Sequence, residues 1–208
     1  MPTPAEPVSQ SERAALADLL ERLGPDQPTR CAGWTTRDLA AHLVVRDRRP
    51  DSTPGLVLGG PFPGWTERVR QRAVRRPFPD LVSAVRSGPP AWLPTALPAL
   101  DRAFNAVEMT IHHEDVRRAQ PDWAPRDLPR SVQDQLWSSV RVLARGPAAR
   151  TTAGGLFVRR SDVPDGAPGS ERRLRDGEPT TTVTGAPLEV LLWVSGRPDV
   201  ACVDLTVD

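Results

Sequence analysis

The sequence predicts a mainly α-helical protein, in which a four-helix bundle is followed by a small α+β domain. Before about residue 145, apolar residues recur at the three- and four-residue spacing of amphipathic helices. From Gly146 onward, Gly, Pro, Thr and Arg dominate, and short β-prone runs replace the helical spacing. We therefore expect a helical domain over residues 1–150 and an α+β domain over residues 151–208.

The first helix is predicted from about Ser9 to Leu23, because Ser9 and Glu12 have the spacing of a capping box and Gly24 ends the apolar pattern. The second helix begins at Thr35 or Thr36. Leucines and polar residues share one face of this second helix. They follow the spacing i, i+3, i+4 and i+7 and are Leu39, His42, Leu43 and Arg46. The first two elements are thus amphipathic, and the second directs a histidine towards the core.

The third and fourth elements are separated from their neighbours by Pro-rich connections. The run Pro50 to Pro63 predicts a long crossover loop. Trp65 to Arg76 and Pro79 to Ser87 are predicted to be two helical pieces, broken at Pro77, that form the third element. The fourth helix is predicted from Asp101 to about Arg118, and its inward stripe comprises Phe104, Val107, Glu108, Ile111, His112 and Asp115.

The C-terminal part is predicted to mix helices and strands. Ser131 to Leu143 is a further amphipathic helix that either packs on the bundle or joins it to the second domain. Pro187 to Val194 is predicted to be a helix ended by Gly196. The β-prone runs are Gly155 to Val158, Thr180 to Thr184 and Val200 to Val207. Together these elements indicate a small α+β unit.

Composition narrows the class of function. The 27 basic and 26 acidic residues nearly cancel, so no overall field attracts nucleic acid or a membrane. The N-terminus has neither a basic leader nor an apolar run, and we expect a cytoplasmic protein without a membrane partner. The two cysteines, Cys31 and Cys202, are far apart in sequence and are expected to be ordinary reduced thiols.

The three histidines lie in the two helices whose apolar faces also carry polar residues. Glu108 and His112 are four residues apart on one helical face, so both can reach one ion, and His42 from a neighbouring helix would complete the set. Two imidazoles and one carboxylate suit zinc and similar divalent metals, with positions left open. The alternative is an ordinary helix pair beside a hydrogen-bonded core histidine. His113 points about 100 degrees away from His112 and is excluded as a ligand.

Two sequence motifs resemble the actinobacterial DinB-like superfamily that includes mycothiol-dependent maleylpyruvate isomerase. They are GWTTRDLAAHL, from Gly33 to Leu43, and EMTIHHEDV, from Glu108 to Val116. The runs Val183 to Gly185 and Leu191 to Arg197 are similar to the small C-terminal domain of that family. The resemblance implies a DinB-like bundle with metal ligands at His42, Glu108 and His112.

The resemblance also implies a function. We expect a divalent metal, zinc by preference, and mycothiol as the thiol cofactor of an isomerase or thiol transferase with an electrophilic substrate. Asp115 would orient a ligand imidazole, although a surface charge near Arg118 is the alternative. Arg197 would pair with an anionic substrate group, although an arginine favoured by the helix dipole is the alternative.

Two rival functions use the same residues differently. A metal-binding or sensing module without catalysis would leave the open metal positions to water. A nucleic-acid- or partner-binding regulator would use the basic run from Arg68 to Arg76, with the histidines as core residues. Every basic residue of the chain is Arg, so a solvated helix face is the favoured interpretation of this run, and no nucleic-acid partner is expected.

Overall fold

The computed structural model describes residues 7–49, 62–93, 105–144 and 153–208. These residues confirm the predicted class, mainly α with a small α+β part, and the chain divides into two compact units, Met1–Trp123 and Ala124–Asp208. The domain boundary predicted near residue 150 and most of the predicted crossover from Pro50 to Pro63 lie outside the described residues. Among the described residues, no helix combines the length and apolarity needed to cross a bilayer.

The first unit consists of amphipathic helices around one apolar core. They are α1 (Val8–Leu23), α2 (Thr36–Arg48), α3 (Phe62–Val74), α4 (Phe78–Ser87) and α5 (Ala106–Arg117). Helix α5 packs on α1, whereas α2 packs on α3 and α4. The break predicted at Pro77 separates α3 from α4. Fully buried residues of the core include Leu16, Leu20, Leu39, Leu43, Leu81 and Met109.

The two predicted N-terminal caps have different outcomes. Thr35 caps α2 in a capping box, because its hydroxyl accepts from the Asp38 backbone N–H and the Asp38 carboxylate accepts from the Thr35 backbone N–H. The capping box predicted for Ser9 and Glu12 is wrong. Within the described residues, α1 begins after Pro7 without a side-chain cap, and Glu12 instead pairs with His113 of α5 at 2.8 Å. A buried imidazole partner therefore outweighs the capping role.

The fourth predicted helix is described from Ala106 onward as α5, preceded by Asn105. The predicted start at Asp101 and the apolar residue Phe104 lie outside the described residues. Most of α5 is buried, including the polar side chains of His112, His113, Glu114 and Asp115. A helix with so many buried polar groups must satisfy each of them with a partner. Those partners define the candidate site below.

The second unit is a four-stranded sheet with two helices. Its elements are α6 (Arg130–Leu143), β1 (Gly155–Arg160), β2 (Glu171–Arg175), β3 (Thr180–Gly185), α7 (Pro187–Val194) and β4 (Asp204–Val207). The strand order is β2-β1-β3-β4, with β1 parallel to β3 and the other two pairings antiparallel. Helix α6 packs on α7, so it belongs to this unit. Strand β2 was not predicted, and the last strand is shorter than predicted.

Candidate metal centre

Helices α2 and α5 bring three potential ligands together in the first unit. His42, Glu108 and His112 each offer one ligand atom, and these atoms all lie within 4.8 Å of one another. The His112 Nε2 atom is 3.4 Å from the Glu108 Oε2 atom. The rings of His42 and His112 stand edge to face, with centroids 5.2 Å apart and planes at 70°. The three residues singled out from the sequence therefore converge.

The cluster is buried on the imidazole side and open on the carboxylate side. His112 is buried and His42 is partly buried, whereas 37 % of the Glu108 side chain is exposed. Solvent therefore reaches part of the Glu108 side chain. A cation held by these three residues would keep positions accessible to water or to a small ligand.

The Asp115 carboxylate lies within hydrogen-bond distance of the His112 ring. The Asp115 Oδ2 atom is 3.0 Å from His112 Nδ1, and the carboxylate is almost fully buried. When Nδ1 carries the proton and donates it to this carboxylate, Nε2 keeps a lone pair directed towards Glu108. A histidine that binds a metal through Nε2 needs this tautomer. One turn of α5 thus supplies both a candidate ligand and a carboxylate within hydrogen-bond distance of it.

Cys31 lies beside this pair, which sequence reasoning did not foresee. Its Sγ atom is 3.2 Å from Asp115 Oδ2 and 3.9 Å from His112 Nδ1. The Arg30 backbone N–H donates to the Asp115 carbonyl at 2.9 Å and ties this turn to α5. Since Cys31 and His112 are 81 residues apart, no local spacing in the sequence could have indicated the contact.

Trp34 packs against the ring of His42, and Arg70 packs in turn against Trp34. The Trp34 ring lies 5.1 Å from the His42 ring, and the Arg70 guanidinium lies 4.9 Å from the centre of the Trp34 ring. Arg70 is held by Asp38 and Glu67, each at 2.6 Å. Arg70 is thus a buried member of the basic run, while the exposed arginines of the run are Arg68, Arg72, Arg75 and Arg76. This residue has a structural task in the first unit.

Arg46 flanks the carboxylate side of the cluster. Its Nε atom is 3.6 Å from Glu108 Oε2, and its Nη1 atom donates to Asn105 Oδ1 at 2.8 Å. Asp47 is 3.3 Å from the same Nη1 atom and is itself bound by Arg13 at 2.5 Å. Arg46 lies one turn after His42, so α2 contributes both an imidazole and a cation. The cation favours negative charge at the open side of the cluster.

Mutual interactions set the charges of the metal-free cluster. Burial and the nearby charge of His112 lower the pKa of His42 to about 3, so this ring is neutral at pH 7. Burial raises the pKa of Glu108, but His112 and Arg46 outweigh it and bring the pKa to about 2. Burial lowers the pKa of His112, but its hydrogen bonds with Asp115, Cys31 and Glu108 raise it well above the usual value. The raised pKa of His112 therefore favours a protonated ring between the carboxylates of Glu108 and Asp115.

Two further residues named from the sequence lie elsewhere. His113 faces α1, where its Nδ1 atom is 2.8 Å from Glu12. Arg197 belongs to the second unit, follows α7 and donates from Nη1 to the Ser195 carbonyl at 2.7 Å. This local bond matches the helix-terminal role that was the alternative for Arg197. Its predicted role towards a substrate stays a prediction.

The described fold and site are those of a helical bundle with a candidate divalent-metal centre, followed by a small α+β unit. Two solved structures have the same fold. They are mycothiol-dependent maleylpyruvate isomerase, with a TM-score of 0.60 and 14 % identity, and a histidine-to-alanine mutant of that enzyme, with a TM-score of 0.59 and 13 % identity. Each match covers 95 % of this chain and 88 % of the other. No family model and no curated protein sequence matches this chain.

Proposed function

We propose that this chain binds a divalent metal, zinc by preference, through His42, Glu108 and His112. The observation that carries the proposal is the convergence of these three ligand atoms, from two helices, within 4.8 Å of one another. Two imidazole nitrogens and one carboxylate oxygen are a ligand set that zinc and other divalent ions accept. In the metal-free protein, the buried His112 needs a proton to balance Glu108 and Asp115, and a cation supplies the same balance.

The residues around the cluster prepare it for binding. His42 is neutral at pH 7 and therefore offers a nitrogen lone pair without first losing a proton. Asp115 accepts from His112 Nδ1 and leaves Nε2 free for the ion. Trp34 packs against His42 and limits the movement of its ring. When bound, a divalent ion would stabilise the anionic form of a water or thiol placed on it.

We further propose that the open position serves a low-molecular-weight thiol such as mycothiol, in an isomerase- or thiol-transferase-like reaction with an electrophilic substrate. The shared fold with a mycothiol-dependent isomerase supports this choice. Solvent access at Glu108 and the adjacent guanidinium of Arg46 support an anionic small ligand at this place. Arg197 is proposed as a second cation for the substrate, on the resemblance of the segment Leu191 to Arg197 alone.

The test is calorimetric titration of untagged, zinc-loaded protein with mycothiol, compared with the S-methylated thiol as a matched ligand. We expect saturable binding of mycothiol that requires both the zinc and the free thiol, because the sulfur would occupy the open position. Equal binding of the two ligands would contradict a metal-bound thiol. Zinc binding without mycothiol binding at millimolar concentration would instead support a non-catalytic metal-binding module.

Turnover of candidate electrophiles by the Arg197→Met variant separates the role of the arginine from that of the metal. A lower turnover with unchanged thiol binding is expected if the guanidinium holds the substrate anion. Unchanged turnover would remove Arg197 from the proposal and leave the metal centre intact.

A further inference from the structure

A second set of ligand atoms lies on the other side of the His112 ring. His112 Nδ1, Cys31 Sγ and Asp115 Oδ2 all lie within 4.8 Å of one another. The three separations are 3.0 Å from Nδ1 to Oδ2, 3.2 Å from Sγ to Oδ2 and 3.9 Å from Sγ to Nδ1. The set contains one sulfur, one nitrogen and one oxygen donor, and it shares only His112 with the centre formed by His42 and Glu108.

These separations suit a tetrahedral cation. Bonds of about 2.3 Å to sulfur and 2.0–2.2 Å to nitrogen and oxygen place neighbouring ligand atoms roughly 3.3–3.6 Å apart. The observed separations of 3.0, 3.2 and 3.9 Å bracket that interval. Side-chain movements of a few tenths of an ångström would bring the three atoms to coordination distance. A cysteine thiolate and a carboxylate also supply the two negative charges that offset a divalent ion.

The turn that carries Cys31 is fixed independently of any ion. The Cys31 backbone N–H donates to the Thr29 hydroxyl oxygen at 3.2 Å, and that hydroxyl donates to the Trp34 carbonyl at 2.9 Å. The Trp34 backbone N–H donates to the Cys31 carbonyl at 2.9 Å. Cys31 is only partly buried, whereas His112 and Asp115 are buried. The backbone of the turn thus holds Cys31 in place beside the other two ligand atoms.

We propose that Cys31, His112 and Asp115 form a second cation site, specific for the soft, thiophilic ion Cd²⁺. A thiolate ligand favours soft ions, whereas the set of His42, Glu108 and His112 contains only nitrogen and oxygen donors. On binding, the S–H bond of Cys31 breaks and its proton passes to solvent, while the ion takes the thiolate. The Nδ1 proton of His112 also passes to solvent, so that Nδ1 can ligate, and Nε2 keeps the ring proton, which points towards Glu108.

The two sites alternate on one ring. A neutral imidazole has a single lone pair, which is at Nε2 when Nδ1 donates to Asp115 and at Nδ1 when Nε2 donates to Glu108. One ion per chain is therefore bound, and its chemistry decides which side of His112 holds it. This alternation rests on the proposed function of the first site, whereas the existence of the second site does not.

The test is titration of the metal-free protein with Cd²⁺, followed by thiolate-to-cadmium charge-transfer absorption in the ultraviolet. We expect the band in the unsubstituted protein and in the double variant His42→Ala, Glu108→Gln, with one ion per chain. The band disappears in Cys31→Ser, which retains the shape and hydrogen bonding of the side chain. Cys202→Ser is the matched control, because this cysteine lies in the second unit, and it keeps the band.

Three results would overturn the proposal or part of it. No charge-transfer band in the unsubstituted protein, or a band that is lost in Cys202→Ser, would remove the second site. Loss of the band in the double variant would place Cys31 at the first centre instead. Two bound ions per chain would contradict the alternation. If only the first site fails, the cadmium band remains, but the Cys31→Ser variant no longer binds zinc. The failure of the first site is therefore distinguishable from the failure of the second.

Discussion

One ion pair in each unit illustrates how burial changes the role of charged side chains. In the first unit, Glu114 and Arg118 form an ion pair at 2.5 Å with neither side chain exposed. In the second unit, Arg159 and Glu171 form a pair at 2.6 Å with more than two fifths of each side chain exposed. The distances are nearly equal, but the surroundings are not. Burial therefore decides what each pair contributes, because it removes the competing interaction with water.

The same difference explains where a functional site can arise. Buried polar groups on the helices of the first unit need specific partners, and His112, Asp115 and Glu108 satisfy one another with help from Cys31 and Arg46. Exposed arginines of the sheet pair with nearby acidic residues, and their removal is expected to change the stability of the protein little.

The largest effect is expected from Glu114→Gln. The substitution keeps the shape of the side chain but leaves the Arg118 guanidinium buried without its carboxylate. Removing one partner of a buried ion pair typically lowers the free energy of unfolding by about 3–5 kcal/mol. Urea denaturation at pH 7 measures the change. A loss below about 1 kcal/mol would show that this pair behaves like a surface pair.

Asp115→Asn is expected to weaken zinc binding at the first centre. An amide can no longer hold the Nδ1 proton of His112 as a carboxylate does, and loss of such an outer partner typically lowers metal affinity about 10–100-fold. Competition with a chelator of known affinity measures the change. Cys31→Ser is the control, because it leaves the bond between His112 and Asp115 in place. Equal affinities of Asp115→Asn and the unsubstituted protein would contradict the orienting role.

A pH effect of intermediate size is expected from His42 in the metal-free protein. Its folded pKa of about 3 lies below the value of 6.5 in the unfolded chain, so only the unfolded state takes up a proton as the pH falls through this interval. Stability is therefore lost on acidification. From pH 7 to pH 5 the unsubstituted protein should lose about 1–2 kcal/mol more than His42→Gln, since one pKa unit corresponds to about 1.4 kcal/mol.

Urea denaturation of both proteins with a chelator present, at the two pH values, measures this difference. His112 has a raised pKa, so its contribution runs in the opposite direction, and it is present in both proteins. An identical loss in the two proteins would show that His42 is protonated in the folded state at pH 5.

The smallest effect is expected from Arg159→Gln on strand β1. The guanidinium and its partner Glu171 are both well exposed, and such pairs contribute less than about 1 kcal/mol to stability. Urea denaturation at pH 7 measures the change in the free energy of unfolding. A loss comparable with that of Glu114→Gln would break the proposed contrast between the two units.

The elements predicted best from the sequence are those with local signals. Helix α7 spans Pro187–Val194 as predicted, because Pro at its start and Gly after its end mark both boundaries. The cap of α2 at Thr35 is also local. Strand β2 escaped prediction because Glu171 to Arg175 is almost wholly charged. Its strand conformation depends on pairing with β1, which sequence spacing does not show.

The candidate site was predictable only in part for the same reason. Glu108, His112 and Asp115 share one helical face, so local periodicity indicated their neighbourhood. Cys31 comes from a turn far away in the sequence, and its place beside Asp115 follows from tertiary packing. Glu12 fitted a capping motif, but its carboxylate instead pairs with the buried His113. Long-range polar partners therefore mark the limit of single-sequence reasoning here.

The central claim is that His112, and not its neighbour His113, holds a metal. The most direct measurement is elemental analysis of untagged protein for the unsubstituted chain, His112→Ala and His113→Gln, with folding checked by circular dichroism. The glutamine retains a hydrogen-bonding group towards Glu12, so this variant is a fair control. We expect one divalent ion per chain in the unsubstituted protein and in His113→Gln, and none in His112→Ala. Equal metal content in the two variants would contradict the account.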